Sequence, residues 1–214
     1  MQTPRKKAAS SRAQPKGDKR TRTRTKLLDA ALALTREKGF EHTTLQDVAQ
    51  RAGMTTGAIY GNFENRDELF MALARRQWAA IKPEFRSGSS FAEKMHTLAD
   101  AVIAAIPERR VAAIGALTFR AYTLRHEVVR LQFRDALAAG YDAGAAWFRT
   151  AVDSDELPMP PEILVRVIYA LTEGLMFQRI LTPELIPDNV IHAAFAALAK
   201  TAPRGLQTAA TDST

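Results

Sequence analysis

The feature that most constrains this chain is the period of its apolar residues. They recur three and four positions apart, the spacing of one helix face, and strand-like alternation is nearly absent. Leu27, Ala31 and Leu34, with Ala30 beside them, predict a first helix over about Thr23 to Lys38, stopped by Gly39. Thr44 and Asp47 head the segment LQDVAQRA at the spacing of a capping box, with Asp in the usual Glu position. Leu45, Val48 and Ala49 form its inner face, and Gly53 ends it. A third helix begins near Thr56 with Thr55 as its cap and carries Ile59 and Phe63 at i and i+4. Asn65 and Glu68 open a fourth, which carries Leu69, Phe70, Leu73 and Trp78 and ends before Pro83. Helices two and three, joined across a tight glycine turn, make a helix-turn-helix unit with the first. Its expected core is Leu27, Ala31, Leu34, Phe40, Leu45, Val48, Ala49, Ile59 and Phe63.

Beyond Pro83 the same period predicts a second, larger all-helical domain. Its helices fall at about Phe91 to Ala105, Glu108 to Tyr122, His126 to Phe148, Glu162 to Leu181 and Pro187 to Lys200. Pro107, the segment DSDELPMPPE, and Pro183 with Pro187 mark the breaks. The fold class is therefore all-α. The expected organisation is a basic disordered tail over 1–22, a helix-turn-helix domain over 23–66, a larger helical domain over 67–202 and a flexible tail over 203–214.

Composition narrows the function classes. There is no cysteine, so disulfides, thiolate metal sites and thiol chemistry are excluded. No apolar run reaches the roughly 18 residues of a membrane span, and the charged N-terminus lacks the apolar segment of a secretory signal. The expectation is a soluble, cytoplasmic protein that does not engage membranes. The formal charge is +7, but residues 1–26 alone hold ten Lys or Arg against one acid, and the remainder is slightly acidic. A tail of that kind suits phosphate attraction. The four histidines, His42, His96, His126 and His192, match neither H-x-x-x-H nor H-x-x-H spacing. A Gly-rich phosphate loop and a G-x-S-x-G nucleophile are also missing. Hence no enzyme, no cofactor and no metal site is expected.

The stretch TTGAIYGNF is the one that asks for a partner. Met54, Ile59 and Phe63 point inward by spacing, which leaves Thr55, Thr56, Gly57, Ala58, Tyr60 and Asn62 outward. Gly57 permits close backbone approach to DNA. Thr56 can hydrogen-bond a base edge or phosphate, and Ala58 can meet a thymine methyl. Tyr60 is placed to fix the position on the phosphate backbone through its hydroxyl. The face carries no Arg or Lys, so the bidentate guanine reader is missing.

The segment TLQDVAQRAGMTTGAIYGNFENRDELF, with LLDAALALTREKGFEHTT before it, closely resembles the DNA-binding signature of the TetR family of transcriptional regulators. Gly53, Tyr60, Phe63 and Arg66 fall on the family's small-residue turn, Tyr, aromatic and basic positions. The resemblance implies that Thr44 and Arg66 touch phosphate and that Thr55, Thr56, Gly57, Ala58 and Tyr60 face the major groove. Asn62, and Arg22 and Arg24 in the basic run, complete the DNA-binding candidates. The chain departs from the family at Gly61, where an aromatic or His is common.

The resemblance further implies a homodimer on a double-stranded DNA operator, with a larger domain for effector binding and dimerisation. The last two long helices would form the dimer contact, with Val167, Ala170, Leu171, Gly174, Ile191 and Phe195 as candidates. Candidates to contact a small, mostly apolar effector are Trp78, Phe91, Met95, Phe119, Tyr122, His126, Trp147 and Phe177. The reading is a repressor released by its effector. Two alternatives stay open: an architectural DNA-binding protein without an effector, and a helical module that binds a small molecule or a protein but no DNA.

Overall fold

The computed structural model describes residues 16–77 and 79–200. Among these residues there are eight helices and no strand. They are α1 (Lys16–Lys38), α2 (Leu45–Arg51), α3 (Thr56–Tyr60), α4 (Arg66–Gln77), α5 (Phe91–Arg125), α6 (Glu127–Ala151), α7 (Pro161–Leu181) and α8 (Asp188–Lys200). The chain divides into two compact units after Leu73, inside α4. No described helix is long and apolar enough to cross a membrane.

The N-terminal unit is held by the side chains that the period selected. Leu27, Val48, Ile59 and Phe63 are fully buried, and Leu69, Phe70 and Leu73 of α4 are buried as well. Each such side chain contributes about 1.5–3 kcal/mol on burial. Local chemistry sets the ends of the helices. Thr44 and Asp47 form a reciprocal capping box on α2. At its other end the Gly53 amide bonds to the Gln50 carbonyl at 3.0 Å and the Met54 amide to the Ala49 carbonyl at 2.9 Å, the two bonds of a Schellman motif. Gly53 sits at φ 65, a conformation that side chains with a Cβ resist.

One expected boundary moves outward and two breaks are corrected. α1 begins at Lys16, so residues 16–22 of the expected disordered tail are helical; the remainder of that tail and the segment 203–214 lie outside the described residues. Pro107 does not break the chain, because α5 runs from Phe91 to Arg125 with Pro107 inside it. An interior proline removes one backbone hydrogen bond and crowds the preceding turn, costing about 3 kcal/mol. Ile106, Ala112 and Ala113 are buried on either side of it, so packing carries the helix through the defect. α4 in turn stops at Gln77 instead of approaching Pro83, and 79–86 are not helical.

In the C-terminal unit, α5, α6, α7 and α8 enclose one core. Met95, Leu98, Val102, Leu164, Met176, Ile191 and Phe195 are its fully buried centre. Ser90 and Glu93 open α5 with a second capping box. This S-x-x-E signal was present in the sequence and adds to the periodicity there.

Candidate nucleic-acid interface and effector cavity

α3 is a helix of five residues with one buried side chain, Ile59. Thr55 caps it, accepting a hydrogen bond from the Ala58 amide at 3.2 Å. Thr55, Thr56 and Gly57 are exposed, Ala58 is half-buried, and Tyr60 is 51% exposed. Gly57 has no internal reason to be glycine. Its φ is not positive, and a Cβ there would meet only the Thr55 hydroxyl oxygen at 3.9 Å. Gly61 is different, since a Cβ there would press on the Gly57 carbonyl at 3.3 Å. The departure at Gly61 thus has a packing reason.

Three of the candidates are engaged within the fold. Asn62 is half-buried, and its Nδ2 donates to the Ala58 carbonyl at 2.8 Å while Oδ1 is buried without a partner. The Arg24 guanidinium donates to the Asn62 carbonyl at 2.6 Å, stacks 4.2 Å from the Phe63 ring centre and pairs with Glu68 at 3.7 Å. Arg66 donates through Nε to the Thr43 carbonyl at 3.0 Å and through its other arm to the Phe40 carbonyl. The same guanidinium lies 4.2 Å from the Phe40 ring centre and 4.9 Å from that of Phe70. Arg24 ties α1 to the end of α3, and Arg66 ties α4 to the turn between α1 and α2. Arg22 is exposed near the start of α1.

Thr44 is exposed and sits in a charged network. Its hydroxyl donates to the Asp47 carboxylate at 2.7 Å and its amide does so at 3.0 Å, while the Lys38 ammonium reaches the same oxygen at 2.6 Å. The Lys38 bond, then the two from Thr44, hold the Asp47 carboxyl well below the usual carboxylate range. A phosphate at Thr44 must therefore compete with Asp47 for the hydroxyl.

A cavity of about 90 Å³ lies within the C-terminal unit. Leu98, Val102, Trp147, Phe148 and Ile168 form apolar walls, and Arg109, Tyr169 and Glu173 supply polarity. Burial, then the Glu173 carboxylate, pushes the Tyr169 hydroxyl well above the usual tyrosine range, so it remains a neutral donor. Glu173 also takes an ion pair from Arg120. Arg109 donates to the Ala79 carbonyl at 2.6 Å, just beyond the end of α4, and burial lowers its pKa.

Among the expected effector contacts, Trp147 lines this cavity and Trp78 lies outside the described residues. The others lie elsewhere. Phe91 and Met95 belong to the buried core. Phe119 is buried against Phe133, with ring centres 6.3 Å apart, and Tyr122 stacks on exposed His126 at 3.8 Å. Phe177 lies beneath the Arg120 guanidinium at 5.2 Å. Most of the large apolar residues at helical spacing fill the core; the polar side chains and Gly144 that share the cavity with its apolar walls are residues the apolar pattern did not select. Glu173, one turn from Tyr169 within an apolar helix, was the available sequence signal.

For the dimer candidates, Ala170 and Gly174 are exposed and Val167 half-buried along α7, in a stripe that continues through exposed Ile163 and Leu181. Leu171 leans on the core. Ile191 and Phe195 are fully buried within the unit and offer no surface to a second chain, which corrects their assignment. They point from α8 toward the same core as α5.

Residues 27–73 match the family model described as bacterial regulatory proteins, tetR family. A curated relative, the probable acrEF/envCD operon repressor of Escherichia coli K12, is 45% identical over 49 residues. That match covers 23% of this chain and 22% of the relative, so it spans about a fifth of the relative's length. Among solved structures, a TetR-family transcriptional regulator from Rhodococcus sp. aligns with a TM-score of 0.66 at 20% identity, covering 85% of this chain and 98% of that one. The multidrug binding protein EbrR complexed with imidazole aligns with a TM-score of 0.59 at 18% identity, over 83% and 89% of the two chains. Both structural likenesses are likenesses of fold.

Proposed function

From the match of residues 27–73 to the tetR-family model, we propose that this chain is a TetR-family, sequence-specific transcriptional repressor released from DNA by a small, mostly apolar effector. The observation that carries this reading is the outward face of α3. Thr56, Gly57 and Tyr60 are exposed, and among the described residues nothing requires glycine at 57. A missing side chain without an internal cause suits the close approach of DNA in the major groove. Tyr60 then positions the helix on the phosphate backbone, with Thr44, Thr55 and Arg22 beside it. Arg24 and Arg66 act by holding α3 in place. The chain works as a regulator and not as an enzyme, in the cytoplasm where the DNA is.

One five-residue helix gives little affinity, so a homodimer reads two half-sites a helical turn, or a multiple of it, apart. The stripe Ile163, Val167, Ala170, Gly174 and Leu181 of α7 is the dimer surface, where small residues let helices approach closely. The effector occupies the cavity at Trp147, Tyr169 and Arg109. α4 continues from the N-terminal unit into the C-terminal one. An effector that draws Arg109 away from the Ala79 carbonyl loosens the segment at the end of α4. To release DNA it must bind the DNA-incompetent state more tightly.

The test is a footprint of the purified protein on its own upstream DNA at two salt concentrations. A palindromic protected segment that survives the higher salt is expected, weakened about tenfold or more by Tyr60→Phe, the loss of one hydrogen bond to a charged group. Diffuse protection that vanishes with salt would instead indicate charge-driven binding by the basic N-terminus.

A further inference from the structure

We propose that His96, Asp100 and His192 form an exchangeable site for a first-row divalent metal ion of the zinc type. His96 and Asp100 stand one turn apart on α5, and His192 reaches them from α8. His96 Nδ1 lies 3.2 Å from one Asp100 carboxylate oxygen, and His192 Nε2 lies 3.3 Å from the other. One ligand atom from each residue falls within 4.8 Å of the other two. In a tetrahedral zinc site with bonds of ~2.0–2.1 Å the ligand atoms are separated by roughly 3.3–3.4 Å; each imidazole already stands at about that spacing from one oxygen of Asp100, and a turn of the exposed carboxylate is what a single shared ion requires. The rings stand face to face, with centres 4.3 Å apart and planes 32° from parallel.

The cluster sits on rigid supports. Met95 and Ala99, beside His96 and Asp100 in sequence, are fully buried, as is Ile191 beside His192. The positions of the ligands are thus set by the packing of α5 against α8 rather than by mobile loops. Two imidazoles with one carboxylate suit zinc and its neighbours, and three protein ligands leave a coordination position for water. His96 and Asp100 are exposed, which gives an ion an open route.

The same geometry limits affinity. His192 Nδ1 is buried without a hydrogen-bond partner. Metal on Nε2 moves the ring proton to Nδ1, where no acceptor receives it, whereas a buried ligand histidine ordinarily donates that proton to a second-shell group. The ion therefore binds reversibly and fastens α8 to α5 only while it is present.

The test uses the tag-free full-length chain, stripped with EDTA and titrated with Co²⁺ and then Zn²⁺ at neutral pH. One Co²⁺ per chain with visible ligand-field absorption is expected, displaced by Zn²⁺ and removed again by EDTA. His96→Ala and Asp100→Asn, both at exposed positions, should each weaken binding by about tenfold or more without lowering the melting temperature of the metal-free chain. Absence of saturable uptake, or unchanged uptake in His96→Ala, would overturn the site and leave a His–Asp–His hydrogen-bonded cluster. The readout needs no DNA, so it stands apart from the proposed regulatory function.

Discussion

Arg66 and Asp47 show how the role of a charged residue depends on what its side chain reaches. By sequence Arg66 is a cation in the first turn of a helix, electrostatically a poor position, and the family resemblance implies a phosphate partner for it. In the fold its guanidinium bridges the Phe40 and Thr43 carbonyls and lies against the Phe40 and Phe70 rings. A flat fork does this and an ammonium does not. Arg66→Ala and Arg66→Lys should therefore both destabilise the chain, by about 2 kcal/mol, as read by thermal melting. Full rescue by Lys would show that charge alone matters. Asp47 makes a prediction in pH. Its folded pKa is depressed by Lys38 and Thr44, so its contribution is present above the unfolded value of about 3.9 and is lost as pH falls through the folded one. Asp47→Asn should lower the melting temperature at neutral pH and flatten its decline below about pH 4. Parallel acid declines in the two proteins would count against the network.

Helix ends were legible from the sequence because they depend on local chemistry. Thr44 with Asp47, Thr55 and the glycines at 39 and 53 lie where the caps and turns require them, and Gly39 and Gly53 have positive φ. Helix interiors were less legible at Pro107, where a local rule predicts a break and the packing of α5 overrides it. Gly144 was silent in the sequence for a related reason. Its backbone in α6 approaches Val165 of α7 so closely that a Cβ would overlap the Val165 side chain. Alanine at 144 gains about 1 kcal/mol of helix propensity and incurs about 1–3 kcal/mol of overpacking. The expected outcome is a net loss of stability in Gly144→Ala, recovered when Val165→Ala is added, measured by chemical denaturation. A loss that the second change leaves untouched would place the strain elsewhere.

For the whole molecule, the burial pattern separates two apolar faces that sequence alone treats as equivalent. Ile191 and Phe195 face the core of their own unit, while Ile163, Ala170, Gly174 and Leu181 line an exposed stripe on α7. If that stripe joins two chains, Gly174→Arg should give a monomer in sedimentation while retaining its helicity, and operator affinity should fall with it. A variant that remains dimeric would move the interface to another face.

What the sequence by itself determined is the helical class, the helix-turn-helix unit and its caps. These follow from periodicity and from contacts within one or two turns, which residue order encodes directly. Tertiary structure alone decided that Arg24 and Arg66 are turned to internal carbonyls and rings. It also decided that Arg109, Tyr169 and Glu173 share a cavity, and that His96 and His192 meet across Asp100. Each of these depends on which faces of separate helices pack together. A helical period shows that a face is apolar, but not which face it will meet.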